Sequence, residues 1–323
     1  MKITIKEIAK KAGVSTATVS KVIHNYQDVG ENTRLNIIRI MNETGYQVKT
    51  RKVIGVIYGI HVNYNHPFFS EVMNSFSKQM GELGYDLMFF TGEDIDDYYK
   101  KCKEAQVDGC VILGGDEIKH SIRSLDKSDI PCIGIDIELT GKKSGYIMAD
   151  NIKLGKMVVE HFYLLGHRNI GYIGGLPDTI IGSHRTQGFI QAMSDFGLSL
   201  NQNWIHHGDF TKNSSYLFMK ELLKDNELPS AIFVASDVMA MGVIEAMEET
   251  KLAVPEDIAV IGCDDIELSK YINPPLTTIR QDKSKVGRLA SLMLVDLMNG
   301  VLDSSSVMVE SDLVVRQSCG GRK

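Results

Sequence analysis

Residues 5–25 read IKEIAKKAGVSTATVSKVIHN. Two short helical patterns, parted by one glycine, sit in this stretch. Thr4-Ile5-Lys6-Glu7 has capping-box spacing, in which a hydroxyl and a carboxylate three residues apart satisfy each other's free backbone N–H groups, so a helix starts at Thr4. Ile5, Ile8, Ala9 and Ala12 share one face of that helix and Gly13 ends it. Ser15 caps a second helix over 16–25, with Val19, Val22 and Ile23 as its buried stripe. A gap of about three residues containing a glycine is helix-turn-helix spacing. A third helical pattern, NTRLNIIRIMNETG, is expected to close the small core with Leu35, Ile38 and Met41.

Three amphipathic helices can form any small bundle, so the outward face of the second helix decides its use. Thr16, Ala17, Thr18, Ser20 and Lys21 are short, hydroxylic or basic, with no acid among them. Such a face fits against base edges and phosphates in a major groove. Charge is distributed to match. The chain carries a net −6, yet residues 1–52 hold ten Lys/Arg against four Asp/Glu, and the remaining residues are strongly acidic. A basic head on an acidic body suits a protein whose head alone meets a polyanion.

These residues carry a resemblance. IKEIAKKAGVSTATVSKVIHN, followed by TR and ETGY, resembles the DNA-binding head of the LacI/GalR family of bacterial transcription regulators. The resemblance implies that Thr16, Ala17 and Lys21 read bases in double-stranded operator DNA, palindromic if the protein is a homodimer. It implies that Ser15, Thr18, Ser20, Asn25, Thr33 and Arg34 hold phosphates, and Thr4 joins this DNA-binding set. Gly30 stands where the family usually has a serine cap; glycine replaces it at a cost of a few tenths of a kcal/mol, as an order of magnitude.

Beyond residue 52 short apolar runs alternate with helical patterns. VIGVIYGI, YDLMFF, GCVILGG and PCIGID read as buried strands; NIGYIGG, NWIHHGD, AIFVAS and IAVIGCDD form a second series, with helices expected at 151–165, 184–196, 214–224 and 238–249. Such alternation means βαβ units and parallel sheets covered on both faces. No G-x-G-x-x-G or Walker A pattern occurs, so no nucleotide cofactor is implied. VDGCVIL, ADN, LGHRNIGYIGG, RTQGF, FVASDVMAMGVIEA, VPEDIAVIGCDD and LTTIRQD are similar, in order, to landmarks of the family's periplasmic-binding-protein-like sensor. The fold class expected is therefore an all-α head plus an α/β sensor of two Rossmann-like subdomains. The expected layout is a head at 1–46, a short linker at 47–52 and an effector-binding and dimerisation domain at 53–323. Within the last, the N-subdomain takes about 53–150 and 281–308, and the C-subdomain about 151–280 and 309–319. The helix at 283–299 and the segment after Pro67 are implied interface elements.

Ligands of open α/β sheets sit at strand ends facing a cleft. Asp136 ends GID, Asp264 ends IGCD and Arg185 opens RTQGF. Two carboxylates and a guanidinium can bracket a polyhydroxylated ring, and Phe210, Phe68 and Phe69 can supply flat apolar faces. The resemblance makes these effector contacts, with Ser236, Asp150 and Gln281 also lining the cleft in many members. Competing readings stand beside them: Asp264-Asp265 as a turn cap, Phe68 and Phe69 as helix-face core, Arg185 as the partner of a surface acid. His167 reads as a turn residue, and His206-His207 lacks a third zinc ligand, so no metal is expected. Paired carboxylates also invite a glycosidase reading, but no nucleophile–base motif appears and an enzyme is not expected.

The linker departs from the family. There a hinge segment folds on operator DNA and a leucine wedges into the minor groove. Here Gln47 to Lys52 reach only about 20 Å when extended, and no leucine lies between Leu35 and Leu83. The hinge helix is expected to be absent, with Lys49, Arg51 and Lys52 available for salt-dependent phosphate contacts. The N-terminus lacks a signal-like apolar run, no stretch is long and apolar enough for a membrane, and the five cysteines form no CxxC pair. A cytoplasmic repressor of carbohydrate-use genes, answering to a small effector such as a sugar or sugar derivative, is the expected function. A sensor acting through a protein partner and a purine or other non-sugar sensor are the alternatives.

Overall fold

The first helix, α1 (Ile5–Ala12), α2 (Thr16–Ile23) and α3 (Glu31–Glu43) pack around Ile8, Ala9, Val19, Val22, Ile37, Ile40 and Met41. One expectation is corrected here. Leu35 and Ile38 are 59% and 42% exposed, and Ile37 and Ile40 take the core positions instead. Helix α3 carries two apolar stripes one residue apart. Only the stripe at 37, 40 and 41 has the i, i+3, i+4 spacing that meets Ile8 and Val19. The computed structural model describes residues 3–23, 26, 28–46, 52–59, 66–90, 97–114 and 118–320. The chain forms two compact units, Met1–Lys52 and Val53–Lys323.

The larger unit contains two six-stranded sheets. The first uses β1 (Lys52–Tyr58), β2 (Tyr85–Phe90), β3 (Gly109–Leu113), β4 (Cys132–Ile135), β5 (Ser144–Ala149) and β11 (Ser305–Val309), in the order β11-β5-β4-β3-β1-β2. The second uses β6 (Ile170–Gly174), β7 (Ile205–His207), β8 (Ala231–Val234), β9 (Ala259–Asp264), β10 (Thr277–Gln281) and β12 (Ser311–Val314), in the order β12-β10-β9-β8-β6-β7. The pairings β1–β3, β3–β4, β4–β5 and β5–β11 run parallel, as do β7–β6, β6–β8, β8–β9 and β9–β10. Strand β12 runs antiparallel to β10, with Gln281 opposite Ser311. Every residue of β3, β4, β6, β8 and β9 is buried, which is why their sequences are unbroken apolar runs rather than alternating ones.

Helices α4 (Pro67–Glu82) and α11 (Lys283–Met298) cover one face of the first sheet, with α5 (Tyr98–Ala105) and α6 (Lys119–Asp126) on the other. On the second sheet α7 (Asn151–Leu164) and α8 (Ile180–Asp195) face α9 (Lys212–Leu222) and α10 (Asp237–Glu249) across the strands. The fully buried Phe76, Phe162, Phe189 and Phe233 each contribute about 1.5–3 kcal/mol of burial. All five cysteines are buried and free. The chain passes between the sheets after β5, after β10 and between Val309 and Ser311. Those passages bring the ends of β4, β9 and β10 and the starts of α7 and α11 into one region.

Candidate operator and effector sites

In the head, the Thr4 backbone N–H donates to Glu7 Oε2 at 2.7 Å and the Glu7 N–H donates back to Thr4 Oγ1 at 3.3 Å. Gly13 caps α1 with φ +67°. Ser15 Oγ accepts from the Thr18 N–H at 3.0 Å and lies 2.8 Å from Thr18 Oγ1, so both hydroxyls hold the start of α2. Thr16, Ala17 and Lys21 are exposed, while Thr18 and Ser20 are half-buried. The base-reading candidates thus stand outermost on α2, flanked by hydroxyls nearer the backbone. Lys21 donates to Asp28, and that hydrogen bond holds the Asp28 carboxyl below its ordinary value. Gly30 caps α3 with no side-chain hydrogen bond. Thr33 and Arg34 are half-buried in the first turn, where Arg34 donates to the Tyr26 carbonyl. Asn25, Lys49 and Arg51 lie outside the described residues, and Lys52 is the first residue of β1.

The second cluster is built around Arg185, which is only 3% exposed. Glycines place it. Helices α7 and α8 cross so closely at Gly155 and Gly188 that a Cβ at Gly188 would collide with the Ile152 carbonyl. That crossing brings Asn151 Oδ1 to 2.8 Å from Arg185 Nε, while Asn151 Nδ2 donates to the Ala149 carbonyl at 2.9 Å. Arg185 Nη1 donates to the Ala235 carbonyl at the end of β8, and Nη2 lies 3.9 Å from Asp264 Oδ1. Burial opposes the charge on Arg185. The fields of Cys263, Asp264 and Asp136 outweigh it and raise the guanidinium above its ordinary value.

Asp264 closes β9 with φ +117° and is buried. Its Oδ1 accepts from Gln281 Nε2 at 2.7 Å. Burial pushes the carboxyl up, against the pull of Arg185, His66 and Lys283. Asp136, after β4, is also buried, with φ +58° and its N–H donating to the Ile147 carbonyl at 3.0 Å. Both carboxylates therefore sit on backbone that bends sharply at a strand end. Such strain accompanies binding sites when the surroundings enforce it.

Other sequence candidates fall in different places. Phe68 is 3% exposed and belongs to the core under α4, correcting the idea of an open ring face; Phe69, packed edge-on against it at 5.1 Å, stays half-buried. A helix that begins at Pro67 turns Phe68 toward the sheet with Val72 and Phe76. Phe210, φ +64°, lays its ring against Gly175. Ser236 and Asp150 are helix caps, accepting from the N–H groups of Met239 at 3.2 Å and Lys153 at 3.1 Å. Asp265 is no ligand candidate: Arg280 Nε at 2.7 Å and Arg316 engage its carboxylate. Burial raises its pKa, but the two arginines overcome this and hold it low.

Sequence reasoning missed four groups. Asn151 orients Arg185, and its place in ADN was visible. Lys283, 6% exposed, donates to the carbonyls of Asp264 and Asp265 at 2.8 Å each and lies 3.6 Å from Glu71 on α4. Asp237, fully buried, accepts from the Ile266 N–H at 2.9 Å, Ser269 Oγ at 2.7 Å and Thr278 Oγ1 at 2.5 Å. Burial, with the charge of Asp264, pushes Asp237 up to about 7. His66, just before α4, is the fourth. Apart from Asn151, none of these has a local sequence signal beyond standing next to a strand or helix end.

Comparison with known proteins now decides the family. Residues 4–48 match "Bacterial regulatory proteins, lacI family", and residues 159–319 match "Periplasmic binding protein-like domain". The chain is 32% identical over 334 aligned residues to the "HTH-type transcriptional repressor PurR" of Pasteurella multocida (strain Pm70), covering 99% of each. The chain belongs to the LacI family. Among solved structures, the "transcriptional regulator CelR-cellobiose complex" is 28% identical with a TM-score of 0.74, covering 98% of this chain and 99% of that one. The Lac repressor dimer bound to operator and the anti-inducer ONPF shares the fold at 24% identity and TM-score 0.71, covering 98% and 99%. The LacI-family assignment makes the chain a DNA-binding transcription regulator rather than an enzyme, with a helix-turn-helix head and a two-sheet periplasmic-binding-protein-like sensor. No helix among the described residues is long and apolar enough to cross a membrane.

Proposed function

We propose that this chain is a cytoplasmic, homodimeric repressor that binds a palindromic operator through its heads. A polyhydroxylated effector, a sugar or sugar derivative, would control it through the Arg185–Asp264 cluster. The observation that carries the effector half is the buried Arg185–Asp264 pair itself. A guanidinium and a carboxylate are held in the interior with their orientations already set by Asn151, Ala235 and Gln281. Asp136 adds its field from the end of β4. Charged groups so fixed lose little freedom when hydroxyls arrive, which favours affinity through preorganisation. The operator half rests on the exposed Thr16, Ala17 and Lys21 on an acid-free α2. Homodimerisation follows from the half-site each head reads.

Between Tyr46 and Lys52 the chain has five residues and no leucine. Effector control would therefore act on the spacing of two closely tethered heads, shifting the population between DNA-competent and incompetent dimers.

A second reading has support of its own. The full-length relatives named PurR favour a purine effector. Thermal-shift titration of the full-length protein separates the two, because a ligand at 100-fold its Kd adds about 2.7 kcal/mol of stability. Pentoses, hexoses or β-linked disaccharides should raise the Tm, and Asp264→Asn should abolish the rise. A rise with purine bases alone would replace the sugar by a purine.

A further inference from the structure

The chain enters its larger unit at Lys52, the first residue of β1. Strands β1, β3, β4 and β5 run parallel, so their starts share one edge of the first sheet. The entry point is tied to that edge: the Asp108 N–H donates to the Val53 carbonyl and the Val53 N–H donates to Asp108 Oδ2, each at 2.8 Å. Although the unit as a whole is strongly acidic, exposed lysines gather here. Lys103 stands in the last turn of α5, with its Nζ 5.4 Å from the Tyr99 ring centroid. Lys127 follows α6, and Lys142 and Lys143 form the turn into β5. Among the described residues, none of these four lysines is in an ion pair.

The corner they form is rigidly built. Asp126, at the end of α6, accepts from the Thr140 N–H at 3.2 Å on one oxygen and from the Gly141 N–H at 3.0 Å on the other. Gly141 is buried so close to α6 that a Cβ there would come 1.7 Å from the Asp126 carbonyl oxygen. Ser144 Oγ donates to the same carbonyl at 3.2 Å, and the Cys132 N–H donates to the Lys143 carbonyl at 2.9 Å. The turn is thereby clamped to the helix end, which fixes Lys127, Lys142 and Lys143 beside one another. Of the acids on these segments, Asp126 is engaged in the clamp and Asp108 at Val53, while Glu104 and Asp129 are exposed.

Fixed ammonium groups without carboxylate partners suit a polyanion of closely spaced charges. Chain connectivity favours duplex DNA over an acidic protein. Only five residues separate Tyr46 from Lys52, a tether that reaches about 20 Å when extended. Lys143 precedes β5, three strand spacings from β1, or about 14 Å. Both lengths are shorter than one helical turn of duplex, about 34 Å. We propose that this edge of the first sheet, through Lys103, Lys127, Lys142 and Lys143, contacts the phosphate backbone beside the half-site that the head holds. The inference rests on the operator reading of the head and adds a second DNA surface to it. These contacts carry no sequence preference; they add affinity by releasing counterions, and the short tether holds them at high effective concentration.

The test uses the full-length protein and the motif it enriches from random duplex DNA, prepared as a duplex trimmed to the motif and as one extended well beyond it on both sides. Fluorescence anisotropy between about 50 and 200 mM salt gives the slope of log K against log salt, which steepens by about 0.9 for each phosphate neutralised. The wild-type slope should be steeper on the extended duplex by about 2 or more. The triple variant Lys127→Ala, Lys142→Ala, Lys143→Ala should lose that difference and bind the trimmed duplex as wild type does, with an unchanged Tm. The corresponding triple Lys→Arg variant should keep the difference. Equal wild-type slopes on the two duplexes overturn the inference without recourse to any variant. An unchanged slope in the alanine variant on the extended duplex also overturns it and leaves the lysines to an acidic protein partner. Failure of wild type to enrich any motif overturns the operator reading beneath, and the inference with it. That result is distinct from a motif bound with equal slopes, which removes the inference alone.

Discussion

Lys283 Nζ, at the first turn of a helix on the first sheet, donates at 2.8 Å to the carbonyl of Asp264, the last residue of a central strand in the second. A second bond to the Asp265 carbonyl and a 3.6 Å approach to Glu71 complete its surroundings. One buried ammonium therefore ties α4, α11 and β9 together at the point where the Asp264 carboxylate meets Arg185. Lys283→Met should cost about 1–3 kcal/mol in urea unfolding, because two carbonyls lose their donor. It should also weaken effector binding, because the positive-φ backbone that aims Asp264 loses its support. A variant with unchanged unfolding midpoint and unchanged ligand affinity would show the tie to be incidental.

Arg185 and Asp264 should respond unequally to removal. Arg185→Met strands the carboxylate, frees Asn151 Oδ1 and leaves the Ala235 carbonyl without its donor; breaking a buried pair in this way costs about 3–5 kcal/mol. Asp264→Asn keeps an oxygen for Gln281 and removes a charge that burial already disfavours. It should be the milder of the two in stability. Both should lose the ligand-induced rise in Tm. Denaturant midpoints for the two variants, compared side by side, check the ordering.

The pH dependence follows from Asp237. Its carboxyl lies near 7 in the folded chain, against 3.8 ordinarily. Between about pH 4 and about 7 the folded state keeps a proton that the unfolded chain releases. Stability from this group is therefore greatest at the acid end and falls as pH rises through that window. Asp237→Asn, which cannot titrate, should lower stability overall but flatten the loss. Urea midpoints at pH 5 and pH 7.5 measure it: the drop between them should be smaller in the variant than in wild type.

In the head, Asp28 engages Lys21, so if Lys21 reads bases as proposed, the carboxylate would compete with DNA for it. Asp28→Ala should tighten binding to a selected operator and Lys21→Ala should weaken it, read by fluorescence anisotropy at one fixed salt concentration. Asp28→Ala binding more weakly than wild type would assign that carboxylate a positive part in holding Lys21 for recognition.

The short linker carries its own expectation. Without a wedge residue the operator should show no sharp central kink in a circular-permutation gel assay. A strong central bend would mean that some other side chain enters the minor groove.

How legible was this molecule in its sequence? The head was, because capping-box and glycine signals act over three or four residues and need no tertiary partner: Thr4, Glu7 and Gly13 stand as their spacing requires. The stripe on α3 was not, since Leu35, Ile37, Ile38 and Ile40 offer two overlapping apolar faces and only packing against Ile8 chooses. Six parallel strands, β1, β3, β4, β6, β8 and β9, were readable as apolar runs, whereas β5, β10, β11 and the antiparallel β12 were not, and β2, read as buried, has no buried residue. The pairing of β12 with β10 follows from a return of the chain some thirty residues later. Within the cluster proposed to bind the effector, Arg185 and Asp264 came from local motifs. Lys283, Asn151 and Asp237 did not, because their roles arise from bonds to groups 2 to 41 residues away. Phe68 shows the converse, an aromatic in a suggestive motif that the helix turns inward.

The most direct test of the central claim is selection of random duplex DNA by the purified full-length protein, followed by sequencing and by the same selection with Lys21→Ala. A palindromic motif enriched by wild type and lost in Lys21→Ala is the predicted result. A folded dimer that enriches no motif at moderate salt would contradict the account and turn attention to a protein partner.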